Sequence, residues 1–411
     1  MRIRALLVIA FAVLTGGSAP PPPPFPHWVA TWASAQWALL PRDVPPPADM
    51  EDVTLRQIVR LSIGGERFRF RLSNAFGAAP LVIDAIHVAR SAGPGSPRLA
   101  AGSDRVVTFN GRTAVMIPAG ADYLSDVVDL PAPALSSLAI SLHLPHRPDQ
   151  QTGHADSRTT TYLVHGDRTA ARDLPGAGSV THWYNLSEVD VQGQAHAKAI
   201  IAFGDSITDG VTATLDGADR WPDVLAGRLQ AAPGSRLVAV INQGFGGNHL
   251  LTDGLGVNAL ARFDRDVLSP PGVEAVILLE GINDLGKLTF DHPVSADEHK
   301  AFVEQVLGAY RQMIERAHAH GIRMIGATIT PYGGDHYYHP DAPDEQDRQT
   351  INQWIRAPGH FDGVVDFDLA VRDPDNPTHL LAAYDSGDHL HPSVAGFKAM
   401  GDAIPLSLVG R

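Results

Sequence analysis

Four short stretches of the chain hold residue types that do chemistry together. Ser206 lies in Gly204-Asp205-Ser206-Ile207-Thr208-Asp209-Gly210. A serine hydroxyl is a weak nucleophile until a base takes its proton, and the base needs an acceptor to orient it. Asp388-His389-Leu390-His391-Pro392, close to the C-terminus, offers both in one turn. A carboxylate three residues before a histidine reaches Nδ1 of the ring and leaves Nε2 for the serine. Asp385 is a lesser rival to Asp388, and His389 reads as a surface or capping residue. Acyl transfer also needs N–H donors aimed at one point. Asn242-Gln243-Gly244-Phe245-Gly246-Gly247-Asn248 can present backbone N–H groups with no side chain in the way, and Asn283 in Gly281-Ile282-Asn283-Asp284 can add an amide donor. Taken singly, each stretch has a plainer reading. A serine there also fits a helix N-cap. The glycine loop also fits a tight turn or a phosphate cradle, although no Gly-Lys-Ser/Thr follows it.

The elements that must position these residues alternate from about Ala197 onward. Lys198–Phe203, Leu237–Asn242, Ala275–Leu279, Arg323–Ile329 and Gly363–Asp366 read as buried strands. Between and after them, Trp221–Gln230, Asp297–His320, Gln346–Arg356 and Val394–Ala403 read as helices. Trp221, Leu225 and Leu229 share one face of the first, and Ser295 or Asp297 starts the second. Alternation of this kind implies a parallel sheet covered on both faces. A residue just past the carboxyl end of such a strand faces a ligand crevice, which is where Ser206, the glycine loop and Asn283 fall.

The first half has another rhythm. Val53–Ile63, Phe68–Leu72, Leu81–Val88, Arg105–Phe109, Ala114–Ile117, Ser125–Leu130 and Leu138–Leu142 are short β-like runs separated by turn residues. They predict a β-sandwich or jelly-roll-like domain. The expected division is a leader over 1–19, a proline-rich spacer over 20–27, a β domain over 28–195 and an α/β domain over 196–411. The leader is expected from Arg2 and Arg4, the apolar run Ala5–Leu14 and the small residues Thr15–Ala19, which together direct export to the periplasm or beyond. Ten apolar residues are too short for a bilayer-spanning helix.

The 411 residues are 44% hydrophobic and 19% charged, with a formal net charge of −13 and no cysteine. The composition suits a globular protein, and the length exceeds one ordinary core. An acidic surface disfavours nucleic acid and anionic membrane as partners. Without cysteine there can be no disulfide, thiolate nucleophile or cysteine-held metal.

Ser, Gly, Asn and Asp-x-x-His follow one another in that order, three of them after successive strands. In this the chain resembles the SGNH (GDSL-type) hydrolases, over roughly Ala197 to the end. The matching blocks are Gly204-Asp205-Ser206, Gly247 within Asn-x-Gly-x-Gly-Gly-Asn, Gly281-x-Asn283-Asp284 and Asp388-x-x-His391. The resemblance implies a flavodoxin-like three-layer α/β/α fold and ester hydrolysis without a cofactor. It also implies an oxyanion hole of the Ser206 and Gly247 N–H groups and the Asn283 amide, with Gly247 preferred to Gly244 or Gly246 on spacing. The β half is not part of the core family.

The expected function is that of an exported serine esterase with Ser206, His391 and Asp388 as its triad. Export, acidity and the β half favour acetyl groups on carbohydrate over lipid, as does the lack of a long apolar lid. Lactones and aryl or lipid esters stay open as substrates, and so does a carbohydrate-binding protein with an inactive hydrolase half. An α/β-hydrolase fits less well. It wants Gly-x-Ser-x-Gly, and Thr208 stands where the second glycine would be. His336, His339 and Asp341, with Tyr337 and Tyr338, lack metal-ligand spacing and read as structural or substrate-lining. Trp28, Trp32 and Trp37 read as packing before sugar stacking.

Overall fold

The computed structural model describes residues 26–410. The expected leader and Pro20 to Pro24 of the spacer lie outside them.

In the C-terminal half, five parallel strands lie in the order Val238–Gly244, Lys198–Gly204, Val273–Leu279, Arg323–Ala327, Gly363–Val365. The second strand of the series sits at the edge beside the first, and the other three continue on the far side. That is the flavodoxin-like order, and its ligand crevice opens where the order reverses, at the carboxyl ends of the first and third strands. Every residue of Lys198–Gly204 is buried, as a parallel strand covered on both faces requires. Trp221, Leu225 and Leu229 of the Trp221–Ala231 helix are fully buried in the same core. The long helix is Ala296–Ala319; Ser295 caps it, bonded reciprocally with Glu298.

The N-terminal half is rich in antiparallel strands. One sheet runs Trp28–Ala33, Leu186–Gln192, Gly65–Ser73, Val128–Ala132, with Asp122–Leu124 also on Gly65–Ser73. A second runs Gly178–Val180, Thr161–His165, Val53–Arg60, Ser137–Leu144, Ala85–Arg90, Arg105–Val106. Phe68, Phe70 and Leu72 of the first sheet share a core with Leu55, Val59, Ile140 and Leu142 of the second. The alternation along Phe68–Leu72 therefore carries its burial, and the intervening arginines face carboxylates: Arg69 to Asp190 at 2.7 Å and Arg71 to Glu188 at 3.0 Å. The run expected over Leu81–Val88 is split. Leu81–Ile83 pairs with Val115–Ile117, while Ala85–Arg90 joins the second sheet. Asp84 breaks the run, and its carboxylate holds His143 at 2.6 Å.

The two halves pack as one body. Ala30 and Ala33 of the first half belong to the α/β core, and Ala199, Ala239 and Phe245 of the second belong to the β core. No helix among the described residues is long and apolar enough to cross a membrane.

Candidate active site

The first parallel strand ends at Gly204, where a side chain would collide with Thr208 and with the carbonyl of Leu279 on the neighbouring strand. Ser206 then opens the one-turn helix Ser206–Asp209. The N-cap is Asp205, whose Oδ1 accepts the Ile207 N–H at 2.9 Å. Ser206 is thus the first helical residue rather than the cap, and its hydroxyl is not used in capping. Oγ lies 2.8 Å from Nε2 of His391. Nδ1 of the same ring is 2.7 Å from Asp388 Oδ2. A carboxylate only accepts, so Nδ1 carries the hydrogen and Nε2 offers its lone pair to the serine.

Asp388 is fixed from several directions. Its Oδ1 accepts the N–H groups of Leu390 at 2.9 Å and His391 at 2.8 Å and the Ser386 hydroxyl at 3.0 Å. Burial alone would raise its pKa, but the His391 ring and the two backbone donors outweigh that and hold it well below the usual carboxylate range. Asp385, the lesser rival, instead binds the His389 ring at 2.5 Å.

The crevice holds the expected donors. Gly247 has φ +69°, a conformation that favours glycine, and it lines the cavity with Gly246. Gly244 ends the strand, with its N–H bound to Asn242. Neither the Ser206 nor the Gly247 N–H donates to another group among the described residues. Asn283 donates one Nδ2 hydrogen to the Asn248 carbonyl at 2.7 Å and accepts the Tyr338 hydroxyl on Oδ1 at 2.8 Å. With its oxygen so engaged, the amide is oriented and its second N–H is left for the cavity. Asp284 binds the N–H groups of Leu250 and Leu251 at 2.6 and 2.8 Å, tying the Asn283 segment to the glycine loop.

Arg262 supports this arrangement from beneath. Fully buried, its guanidinium reaches the Gly204 carbonyl at 2.9 Å, the Gln243 carbonyl at 2.8 Å, Asn248 Oδ1 at 2.7 Å and Glu280 at 3.2 Å. One side chain thereby joins the ends of the three strands that carry Ser206, the glycine loop and Asn283. Two carboxyl groups nearby feel their burial: Glu280 is raised well above its ordinary pKa, and Asp205 is pushed up to about 7.

The resulting cavity has a volume of about 350 Å³. Ser206, His391, Asp388, Gly247, Asn283, Tyr337 and Tyr338 line it from the α/β half. Trp37, Leu40, Arg42, Asp43, Ala155 and Asp156 line it from the β half. This second wall had no signature in the sequence, because segments 50 or more residues from Ser206 meet it only through the fold. Arg262 and Leu255, which leans on Gly247, were also missed. A lone arginine among the apolar residues of Ala259–Phe263 is the one local hint of a buried partner. Of the residues discounted for metal, Asp341 caps the Ala342–Arg356 helix, Tyr338 orients Asn283 and Tyr337 lines the mouth. Trp32 and Trp37 are packed against other rings, and Trp37 also lines the cavity.

Residues 202–399 match the model of the GDSL-like Lipase/Acylhydrolase family. The α/β half therefore belongs to that family, and the protein is a carboxylic ester hydrolase. Among solved structures, a GDSL-like lipase from Bacteroides thetaiotaomicron VPI-5482 is similar at 20% identity, covering 53% of this chain and 91% of its own, with a TM-score of 0.39. An acetylxylan esterase from Geobacillus stearothermophilus is similar at 22% identity, covering 52% and 94%, also at 0.39. An α/β hydrolase from the metagenome of Lake Arreo, Spain, is similar at 22% identity, covering 52% and 95%, at 0.37. No curated protein matches the chain.

Proposed function

We propose that the protein is an exported serine esterase that removes short acyl groups, acetyl first among them, from carbohydrate. The observation that carries the catalytic reading is the unbroken chain from Asp388 through His391 to Ser206 Oγ, opening on a cavity that Gly247 and Asn283 also line. Export rests on the basic, apolar and small-residue succession over 1–19. The carbohydrate alcohol rests on export, on the acidic composition and on the β half that walls the site. We read the two antiparallel sheets of that half as the layers of a β-sandwich, supported by their shared core.

Ser206 Oγ attacks the ester carbonyl while its proton passes to His391 Nε2. Asp388 keeps the ring oriented and stabilises the charge it gains. The carbonyl oxygen, now negative, lies against the N–H groups of Ser206 and Gly247 and the Asn283 amide. His391 then gives the proton to the departing alcohol oxygen as the C–O bond breaks, leaving an acyl group on Ser206. Water attacks that acyl group with His391 as base, and the acid and the free serine are released.

The apolar side chains of Trp37, Leu40, Val211, Leu255 and Tyr337 favour a second reading, an ester with an aryl or longer acyl group. Hydrolysis of p-nitrophenyl esters of increasing acyl length, with Ser206→Ala as control, tests both. Turnover of acetate that falls away by octanoate, with a silent mutant, supports the first reading. A maximum at longer chains supports the second. Absence of turnover and of organophosphate labelling at Ser206 overturns the esterase reading.

A further inference from the structure

Beside the cavity holding Ser206 lies a second, open cleft of about 810 Å³, with Asp388 in the wall of both. Three chain segments run through both spaces. Val211 and Asp388 line both of them. Asp156 lines the cavity, while Arg158, two residues on, lines the cleft. Thr212, in the cleft, donates its hydroxyl hydrogen to the carbonyl of Pro392, the residue after His391. The cleft is thus built on the histidine's side of the site.

That placement has a chemical consequence. His391 Nε2 must hand its proton to the departing oxygen, so the alcohol part of the ester leaves on the histidine's side. The oxyanion lies toward Gly247, where Leu255 makes the wall apolar. We infer that this second cleft is the binding subsite for the alcohol portion of the substrate, and that it takes an uncharged polyhydroxylated alcohol such as a sugar unit. This inference rests on the esterase reading above and specifies the alcohol side of that site.

The polar groups of the cleft have a definite polarity. The Ser386 hydroxyl donates to Asp388, Ser393 donates to the Ala383 carbonyl and Thr212 to Pro392. Each has used its hydrogen on the protein; Ser393 Oγ also accepts the Gly396 N–H at 3.3 Å, while Ser386 and Thr212 keep lone pairs for an incoming donor. Arg158 directs Nε and Nη2 at the Ala213 carbonyl, and its Nη1 has no acceptor among the described residues. The surface therefore offers hydroxyl acceptors together with donors, Nη1 of Arg158 and the first-turn N–H groups of Val394 and Ala395 in the Val394–Ala403 helix. Sugar hydroxyls both donate and accept, and so match it. A carboxylated alcohol would face these lone pairs and the carboxylates of Asp385 and Asp388. An aryl alcohol would leave the polar groups unmatched.

The test compares two acetate esters on the full-length enzyme: an acetylated xylo-oligosaccharide, whose alcohol would fill the cleft, and p-nitrophenyl acetate, whose alcohol would not. Val394, 39% exposed, lines the cleft and takes no part in the triad. Val394→Trp places a bulky ring in it, and Ala395→Trp repeats the obstruction from the next position. Each block is expected to raise KM for the acetylated sugar tenfold or more and to leave both constants for p-nitrophenyl acetate within twofold. Sugar kinetics unchanged in both variants, or both substrates slowed alike by both, overturn the inference. Wild-type turnover of p-nitrophenyl acetate without turnover of the acetylated sugar also overturns it, and spares the esterase reading. Silence on both substrates overturns that reading as well.

Discussion

His154 Nε2 of the β half lies 3.0 Å from Oδ1 of Asp209, three residues after Ser206. The ring bridges to the Ala35 carbonyl through Nδ1 at 2.8 Å, and both side chains are almost fully buried. The two halves thus meet at the turn that holds the nucleophile. His154→Phe keeps a ring in place but strips a buried carboxylate of its partner. A loss of about 3 kcal/mol in unfolding free energy is expected, because an uncompensated buried charge costs about that much. Asp209→Asn in the same background removes the stranded charge and should restore part of the loss. Urea denaturation of the two single variants and the double variant checks this: a coupling below about 0.5 kcal/mol would mean that the contact is incidental.

A second contact between the halves bears on the oxyanion loop. Trp37 stacks on Phe245 with ring centroids 4.0 Å apart and planes 10° from parallel. Phe245 stands two residues before Gly247. Trp37→Ala opens a void against that ring and removes part of the cavity wall. Stability should fall by about 3 kcal/mol, and kcat for p-nitrophenyl acetate should fall with it. Trp37→Phe keeps a stacking face and should recover most of both. Thermal unfolding combined with steady-state kinetics would register a failure of that recovery.

These contacts mark where the sequence stopped being legible. The alternating apolar strands and helices after Ala197 could be read because a parallel sheet buries whole strands and leaves long uninterrupted runs. The parallel pairing of Lys198–Gly204 with its two neighbours follows that pattern. Residues that the structure gathers around Ser206 were visible because each sits at the end of its own strand or within one turn. Helix starts were less clear. Asp341 was weighed as a metal ligand, yet it begins the helix that the sequence placed at Gln346. In the β half, strands as short as Thr152–His154 and Trp37–Ala38 carry too few residues to show a period. They bring Trp37 and His154 to the site, and only long-range pairing determines where such strands lie.

Tyr338 tests how far Asn283 depends on a partner. Its hydroxyl is the donor to Asn283 Oδ1, and the side chain is mostly buried. Asn283→Ala removes an oxyanion donor, and kcat should drop by about 10²–10³. Tyr338→Phe leaves the amide in place with its oxygen unbound, held only through its Nδ2 bond to the Asn248 carbonyl. A drop of roughly tenfold in kcat with KM little changed is expected, since an interaction strongest in the transition state appears in kcat. An equal rise in KM would instead assign Tyr338 to ground-state binding.

Asp205 makes the fold sensitive to pH near neutrality. It is buried, its Oδ2 has no hydrogen-bond partner among the described residues, and burial pushes its pKa from 3.8 up to about 7. A carboxyl raised in the folded state binds its proton more tightly there than in the unfolded chain. Its contribution is therefore most favourable at low pH and declines as pH rises from about 4 through about 7. A shift of about three units corresponds to on the order of 4 kcal/mol, at about 1.4 kcal/mol per unit. Asp205→Asn keeps an oxygen for the Ile207 N–H and loses the titration. Relative to wild type, the variant should gain about 3–4 kcal/mol of stability between pH 4.5 and pH 8. Urea midpoints at the two pH values measure that gain directly. A difference between the two proteins that stays constant with pH would show that Asp205 does not titrate in this window.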